Sequence, residues 1–192
     1  MDDKRHLLLN FCLANPEAKT IVFVRTQVRA DRVLAHLTRN AILAVNIHGG
    51  MLQAEREKSL ESFREQVSGL MIATDVSARG IDLPGITHVI NYDLPDDPEN
   101  YVHRVGRTGR GFAKGEAISF CSPEEKEKLA MIEDFIQTKI SELKVDKDFH
   151  KEAPKADAAT VGIAEMLAQE EARYEKPKKN KKSTKAIKKK KR

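Results

Sequence analysis

The feature that most constrains the fold of this chain is a regular alternation of short apolar runs with longer amphipathic segments. The apolar runs predict buried strands at 20–24, 42–47, 70–73, 88–91 and 116–121. Helical periodicity lies between them, most clearly at 27–39 and 53–65. Because strands that alternate with helices form βαβ units, we predict an α/β fold: a single domain with a mostly parallel β-sheet and helices on both faces.

The clearest helix start lies near the end of this pattern. Ser122 can cap a helix, Pro123 suits the first helical position, and Glu125 completes a capping box. The residues that follow carry apolar side chains at helical spacing, namely Leu129, Ile132, Phe135, Ile136, Ile140 and Leu143. This stripe predicts a helix with one buried face that continues to about residue 143.

Charge divides the chain into two parts. Of its 34 Lys and Arg residues, 11 lie in residues 176–192, which contain no acid, so the first 175 residues hold 23 basic against 29 acidic side chains. We predict a folded domain at 1–147, a linker at 148–175 that can form a short helix, and a disordered polybasic tail at 176–192. The tail can add sequence-independent affinity for RNA, or it can be a solvated end without a selected role.

The cysteines and the amino-terminal segment bear on location. Cys12 and Cys121 stand far apart without a Cys-x-x-Cys partner, which argues against a disulfide framework or a zinc site. We therefore expect a reducing, cytoplasmic compartment and no bound metal on this chain. The start imitates a signal peptide, but acids and Asn10 interrupt it and no small-residue cleavage site follows. No apolar run reaches the ~18 residues of a membrane span, so we expect no membrane partner.

Three loops carry most of the candidate chemistry, because ligands of an open parallel sheet bind at the carboxyl ends of its strands. The loop at 74–82 contains two hydroxyls, two carboxylates, an arginine and a glycine. A second loop begins with His48 and two glycines and leads to Gln53 and Arg56. The third, at 103–111, sets three arginines and a histidine among glycines.

Arg107 and Arg110 give the most specific signal in these loops. Three residues apart on a helical turn, their guanidinium groups can project from one face. Such planar donor groups suit phosphate oxygens and can stabilise the charge of a transferring phosphoryl group. The alternative is an ordinary surface loop whose arginines pair with some of the 29 acidic residues.

Four segments taken together resemble a known family. They are TIVFVRT at 20–26, ATDVSARGID at 73–82, VINYDLP at 89–95 and YVHRVGRTGR at 101–110. In order and spacing they are similar to the second-domain motifs of DEAD-box ATP-dependent RNA helicases, over about residues 1–145. The resemblance implies the C-terminal, RecA-like half of such an enzyme, which agrees with the parallel sheet expected from the strands and helices.

The resemblance implies roles on the nucleotide side of the domain. Arg107 and Arg110 match the catalytic arginine fingers that reach the ATP γ-phosphate across the interface between two domains. Gly80 and Asp82 match positions against the ribose and the interface. The less usual residues that follow the arginine segment, at 111–114, are a departure from the family pattern.

Coupling and RNA positions follow from the same resemblance. His103 and Arg104 match positions that link nucleotide state to the carboxylate motif of the other domain. Five residues match positions that touch the sugar-phosphate backbone of one RNA strand, namely Gly49, Gln53, Arg56, Thr74 and Asp75. Such contacts would be largely independent of base sequence, because phosphate contacts position a strand without specifying it.

Two motifs needed for nucleotide binding do not occur in the sequence. It has neither a Gly-x-x-x-x-Gly-Lys-Ser/Thr phosphate loop nor an Asp-Glu-Ala-Asp stretch to hold Mg²⁺. We therefore expect ATP and Mg²⁺ to be held mainly by an N-terminal RecA-like domain of the same enzyme. On this view the whole protein is a monomeric RNA-dependent ATPase and helicase, and the isolated chain lacks activity.

Two other functions remain open from the sequence. The first is a stand-alone RNA-binding or regulatory module that kept the fold and lost catalysis. The second is the corresponding domain of a DNA-translocating relative, which the segments at 74–82 and 101–110 favour less. A phosphate-loop domain upstream in the same reading frame would favour the motor over the regulatory module.

Overall fold

The computed structural model describes residues 2–109 and 115–143, which all lie in one compact unit. The strands of this part are β1 (Lys19–Phe23), β2 (Ala44–Ile47), β3 (Gly69–Ala73), β4 (His88–Asn91) and β5 (Glu116–Ser119). Its helices are α1 (Asp2–Ala14), α2 (Gln27–Arg39), α3 (Gln53–Glu65), α4 (Asp75–Ala78), α5 (Pro98–Val105) and α6 (Lys126–Ile136), with a 3₁₀ turn at Pro123–Glu125. The bounds of α2, α3 and β4 equal those predicted.

The strands form one parallel sheet in the order β2-β3-β1-β4-β5. The central strand β1 pairs on both sides, with Thr20 opposite Leu70 of β3 and His88 of β4. The chain places β3 on one side of β1 and β4 on the other, which creates a crevice at the carboxyl ends of these strands. The predicted α/β fold with a parallel sheet is confirmed.

Side chains alternate along the strands and fill a core on each face of the sheet. One core joins the sheet to α3 and to the segment after β3, and contains Ile21, Phe23, Met71, Ala73, Leu60, Phe63 and Ile81. The other joins the sheet to α1 and α2, and contains Val22, Val24, Ile72, Ile90, Leu8, Val33 and Leu37. Helices therefore cover both faces, and the apolar amino-terminal segment is a core helix.

The last helix is shorter than the sequence predicted. Glu125 accepts a hydrogen bond from the Ser122 amide at 3.1 Å, but the first turn is 3₁₀ and α6 ends at Ile136. Gln137 adopts φ +53°, a left-handed conformation that stops the helix. The prediction of one buried stripe was therefore wrong at two positions, because Phe135 is 51% exposed and Leu143 is 86% exposed.

Smaller differences concern strand ends and the carboxyl-terminal region. β2 begins at Ala44 rather than at residue 42, since Ala41 has φ +58° and still belongs to the turn after α2. Cys12 and Cys121 are both free, and no described helix is long and apolar enough to cross a membrane. The predicted boundary at 147, the linker and the polybasic tail lie outside the described residues and stay predictions.

Candidate functional site

A buried arginine organises the carboxyl edge of the sheet. Arg104 of α5 is 2% exposed, and its Nε and Nη2 donate to the two carboxylate oxygens of Asp75 at 2.6 and 2.7 Å. Its Nη1 donates to Asn91 Oδ1 at 3.0 Å and to the Asp93 carbonyl at 2.7 Å. The guanidinium also lies 5.0 Å from the ring of Phe23. One side chain thus ties α5 to the ends of β1 and β4 and to the segments that follow β3 and β4.

The burial of Arg104 shows which groups it binds in this domain. The resemblance implied a position that links nucleotide state to the other domain, and the donors of Arg104 described above bind acceptors of this domain. The coupling role of Arg104 stays a prediction. The neighbouring His103 is exposed on α5, and so it is the surface residue of the pair.

Arg107 lies at the carboxyl edge of the sheet, next to the loop that follows β3. Its Nη1 donates to the Ile81 carbonyl at 2.8 Å, which holds the side chain against the loop at 79–82. Four residues apart along the chain, His103 and Arg107 line one small cleft together with Arg79. Arg79 Nη2 donates to Asn100 Oδ1 at 2.7 Å, which fixes a guanidinium group there besides that of Arg107. Arg110 lies outside the described residues, and its pairing with Arg107 stays a prediction.

The loop at 79–82 lies beside this cleft, and its backbone is open to close approach by a ligand at Gly80. Gly80 adopts φ +72°, and a Cβ at this position would meet no atom within 4 Å, so its backbone faces open space. Asp82 is exposed, and its carbonyl accepts from Arg64 Nε at 3.4 Å. No three His, Cys, Asp or Glu side chains within residues 2–109 and 115–143 are grouped so as to hold a metal ion.

Ser77, which sequence reasoning did not single out, contacts two of the predicted RNA positions, Thr74 and Arg56. Ser77 Oγ donates to the Ile47 carbonyl at 2.6 Å and lies 3.0 Å from Thr74 Oγ1. The Ser77 carbonyl accepts from Arg56 Nη2 at 3.1 Å. Thr74 is 7% exposed, so the structure places its side chain inside this network rather than at the surface. The motif at 74–82 contained Ser77, but nothing in its pattern showed that it faces β2.

The glycine turn after β2 contains Gly49, another of the predicted RNA positions. His48 is 8% exposed. Its Nε2 lies 3.1 Å from Asp31 Oδ1, and its Nδ1 accepts from the Gly50 amide at 3.2 Å. The side chain of Gln27 lies beside Gly49 and Gly50, and a Cβ built on Gly50 would lie 2.6 Å from Gln27 Oε1. Gly49 is exposed. Gln27 is a second residue that the sequence analysis missed.

The first turn of α3 continues this exposed polar edge. Gln53 and Arg56 lie one helical turn apart, with Gln53 exposed and Arg56 partly buried. Gln53 Nε2 donates to Glu57 Oε1 at 2.7 Å. The structure therefore brings Gly49, Gln53 and Arg56 to one edge next to the Thr74 loop. Asp75 lies at the same edge, but Arg104 occupies both of its carboxylate oxygens.

Comparison with known proteins decides the family. Residues 3–111 match the model of the helicase conserved C-terminal domain. The DEAD-box ATP-dependent RNA helicase CshA of Bacillus subtilis (strain 168) is 44% identical over 132 residues, which are 69% of this chain and 26% of that protein. The chain belongs to the DEAD-box RNA helicases, as their C-terminal helicase domain. The family predicted from the four segments is confirmed.

Solved structures of DEAD-box proteins show the same fold. The E. coli DEAD-box protein SrmB, bound to regulator of ribonuclease activity A, is 32% identical with a TM-score of 0.71, covering 81% of this chain and 91% of that one. S. cerevisiae Dbp5, bound to RNA and ADP BeF3, is 30% identical with a TM-score of 0.69, covering 88% and 42%. The chain spans between 23% and 29% of the length of the curated relatives it matches.

A second buried ionic network supports this DEAD-box domain beside Arg104. Asp93 is 1% exposed; its carboxylate accepts from the Arg25 amide at 2.9 Å and pairs with Arg29. Glu125 pairs with Lys4 of α1 and lies 3.5 Å from Arg25 Nη2. Burial acts to raise the pKa of Glu125, but Lys4 and backbone amides outweigh it and lower that pKa. The network fixes the segment after β4. The Asp93 carbonyl in that segment accepts from Arg104.

Proposed function

We propose that this domain is the C-terminal motor half of an ATP-dependent RNA helicase and supplies arginine fingers to ATP. The observation that carries this proposal is the position of Arg107 at the carboxyl edge of the sheet, on one cleft with His103 and held against the 79–82 loop. The alternative of an arginine paired within a remote surface loop is less well supported by this position. Dbp5, a relative of this chain, is described as bound to RNA and ADP BeF3.

On the nucleotide side, ATP would lie between this domain and an N-terminal RecA-like domain. The guanidinium groups of Arg107 and Arg110 would face the γ-phosphate, and Gly80 and Asp82 would lie near the ribose. Arginine placed in this way stabilises the negative charge of a transferring phosphoryl group. Mg²⁺, bound mainly by the other domain, would neutralise charge on the phosphates.

On the RNA side, Gly49, Gln53, Arg56 and Thr74 would border the sugar-phosphate backbone of one strand. The Thr74 loop would do so mainly through its backbone, because its hydroxyl is held within the domain. Backbone recognition of this kind gives affinity without base specificity. Joint binding of ATP and RNA would close the two domains, bend the strand and open a short duplex locally.

The Arg104–Asp75 ion pair would connect the two sides. Asp75 follows directly on Thr74 of the RNA-side loop, and Arg104 lies on the helix that carries His103 and Arg107. A displacement of the loop by RNA would therefore be transmitted to α5. Arg104 would couple the sites from inside the domain, as a positioning residue.

The remaining expectations concern the whole protein. We propose a cytoplasmic monomer in which this chain acts with its own N-terminal RecA-like domain, and in which the isolated chain binds ATP weakly and hydrolyses none. The experiment measures ATP turnover with and without RNA for the full-length protein and for this chain alone. RNA-stimulated turnover only in the full-length protein is the expected result. Turnover by the isolated chain at comparable rates, or none by either protein, would contradict the proposal.

A further inference from the structure

Ser77 is a polar residue buried among the elements that carry the predicted RNA positions. It lies in α4, one turn after Thr74, and is 5% exposed. The end of β2 leads to the Gly49 turn, and the first turn of α3 carries Arg56. Since a buried hydroxyl group costs free energy unless it is hydrogen-bonded, the partners of Ser77 are part of how this edge is built.

The hydroxyl of Ser77 joins the Thr74 loop to β2. Its Oγ lies 2.6 Å from the Ile47 carbonyl and 2.8 Å from the Thr74 carbonyl. It also lies 3.2 Å from the Thr74 amide and 3.0 Å from Thr74 Oγ1. A hydroxyl has one proton to donate and two lone pairs that accept. Because the Ile47 carbonyl is the nearest acceptor, Ser77 donates to it, and its lone pairs face the amide and hydroxyl of Thr74. The Thr74 loop is thereby tied to the last residue of β2.

The backbone carbonyl of Ser77 holds Arg56. This carbonyl accepts from Arg56 Nη2 at 3.1 Å. Arg56 Nε is buried without a hydrogen-bond partner in the described part of the chain, and the arginine forms no ion pair there. The Arg56 guanidinium is therefore anchored on one side, while its charge stays available to an anion such as an RNA phosphate.

These contacts go beyond what the start of a short helix needs. Ser77 and Thr74 form a capping box at α4, which is a local arrangement over one turn. The Ile47 carbonyl lies 30 residues away in sequence, and Arg56 lies 21 residues away. A cap needs neither of these partners. Ser77 thus joins three separate segments, each of which carries a predicted RNA position or leads to one.

We propose that Ser77 is a positioning residue for RNA: it holds the Thr74 loop, the Arg56 guanidinium and the end of β2 in the arrangement that one strand contacts. This inference rests on the proposed RNA-binding function and adds a residue that acts through the others. Ser77 itself touches no RNA, because its hydroxyl is buried and occupied by groups of this domain. Its contribution is to the fit of the phosphate backbone and is independent of base sequence.

The test is the RNA affinity of Ser77→Ala in the full-length protein, measured by fluorescence anisotropy with labelled single-stranded poly(U) and a non-hydrolysable ATP analogue. Loss of the hydroxyl lets the Thr74 loop and Arg56 move out of place, so affinity should fall about fivefold, the equivalent of one net hydrogen bond. Ser77→Thr keeps the hydroxyl and should bind nearly as the wild type does. Unchanged affinity in Ser77→Ala, or an equal loss in Ser77→Thr, would overturn the inference.

Double variants separate positioning from a general effect on the fold. In an Arg56→Gln background, Ser77→Ala should weaken binding by less than about twofold, because residues in contact do not contribute independently. In a Gln53→Ala background the full effect of Ser77→Ala should remain, since the Gln53 side chain bonds Glu57 and not Ser77. Equal effects of Ser77→Ala in the two backgrounds would contradict a role that acts through Arg56.

A stability control is available in another core. Ile132 of α6 is 1% exposed and packs with Leu94 and Tyr101. Ile132→Val should lower stability and leave RNA affinity unchanged; a loss of affinity as large as that of Ser77→Ala would mean that the assay follows stability, and the inference would fall. If Arg56→Gln weakens binding and Ser77→Ala does not, the inference fails and the RNA-binding function stands. If the wild type binds no RNA, both fail.

A second measurement needs no variant and therefore decides the matter even if Ser77→Ala does not fold. Because Ser77 ties the two segments together, RNA should slow amide hydrogen exchange in residues 74–78 and in residues 48–56 at the same RNA concentration. Protection of residues 48–56 alone with saturating RNA would contradict the positioning role of Ser77.

Discussion

The two ends of the sheet are built from the same strands but differ in the side chains they carry. At the carboxyl edge, Arg104 and Asp93 are charged groups that are 2% and 1% exposed, and each has several partners. At the amino edge, a groove of about 700 Å³ runs between α1, the turn after α2 and the start of β3. Its lining is mostly apolar, with Phe11, Ile42, Leu43 and Leu70 among the residues.

The difference follows from the topology of a parallel sheet. Helices α2, α3, α4 and α5 all begin at the carboxyl edge, so their first amide groups and the positive ends of their dipoles gather there. That edge favours anionic ligands, and buried charged side chains such as Arg104 and Asp93 hold its loops in place. The amino edge receives the ends of helices and can be closed by ordinary apolar packing. We therefore expect substitutions at the two edges to have unequal effects.

The largest effect on stability is expected at Arg104. Arg104→Gln removes one partner of a buried ion pair and leaves Asp75 and two further acceptors unsatisfied, which should lower the free energy of unfolding by about 3–5 kcal/mol. Urea unfolding monitored by circular dichroism measures the change. The exposed Lys126→Gln serves as the control, with an expected change within about 0.5 kcal/mol. A loss below about 1 kcal/mol for Arg104→Gln would show that the pair is not buried as described.

The same pair can be tested as a unit. Because Asp75 and Arg104 satisfy each other, Asp75→Asn together with Arg104→Gln should cost less than the sum of the single changes, with a coupling energy of about 0.5–3 kcal/mol. Additive costs would contradict the proposed link between the RNA-side loop and α5.

A smaller effect is expected from Glu125, and it should depend on pH. Since the pKa of Glu125 is lowered in the folded domain, its contribution is present above the ordinary value of 4.5 and is lost as the pH falls through the lowered value. Glu125→Gln should lower the free energy of unfolding by about 1–3 kcal/mol at neutral pH. It should also make the decrease of stability at acid pH, the acid limb of the stability curve, less steep. Unfolding free energies measured between neutral and acid pH check this.

The control for that experiment is an exposed acid two residues further along, in the first turn of α6. Glu127→Gln should leave both the neutral stability and the acid limb as they are in the wild type. An acid limb that keeps its shape in Glu125→Gln would mean that other carboxylates carry the acid sensitivity.

The smallest effect is expected at the amino edge. Leu43 is 66% exposed at the rim of the groove, so Leu43→Ser should change the free energy of unfolding by no more than about 0.5 kcal/mol. It should also leave RNA-stimulated ATP turnover of the full-length protein unchanged. A clear loss of turnover would show that the amino edge takes part in the function and would break the comparison.

Much of the fold could be predicted from the sequence because its signals are local. The β-rich runs and the helical periodicity of α2 and α3 depend on neighbouring residues, and they predicted those two helices to the residue. The end of α6 could not be predicted, because Gln137 carries no residue-type signal for its left-handed conformation. The apolar spacing continues to Ile140 and Leu143, although the helix ends at Ile136.

The candidate site was predictable as a set of loops but not as a set of orientations. The resemblance matched Asp75 with an RNA-contacting position and Arg104 with a position that links nucleotide state to the other domain, and the structure pairs the two side chains with each other. Whether a charged side chain points inward depends on partners distant in sequence, such as Asn91 and the Asp93 carbonyl. For the same reason Gln27 and Ser77 gave no signal before the strands were assembled.

The central claim is that Arg107 serves the nucleotide and not the RNA. The most direct measurement compares ATP turnover and RNA affinity of Arg107→Ala with the wild type in the full-length protein, with Lys126→Ala as control. An arginine finger contributes on the order of 10³ to 10⁵ in rate, so turnover should fall by about that factor while RNA affinity changes far less. Equal losses of both, or turnover within about tenfold of the wild type, would contradict the account.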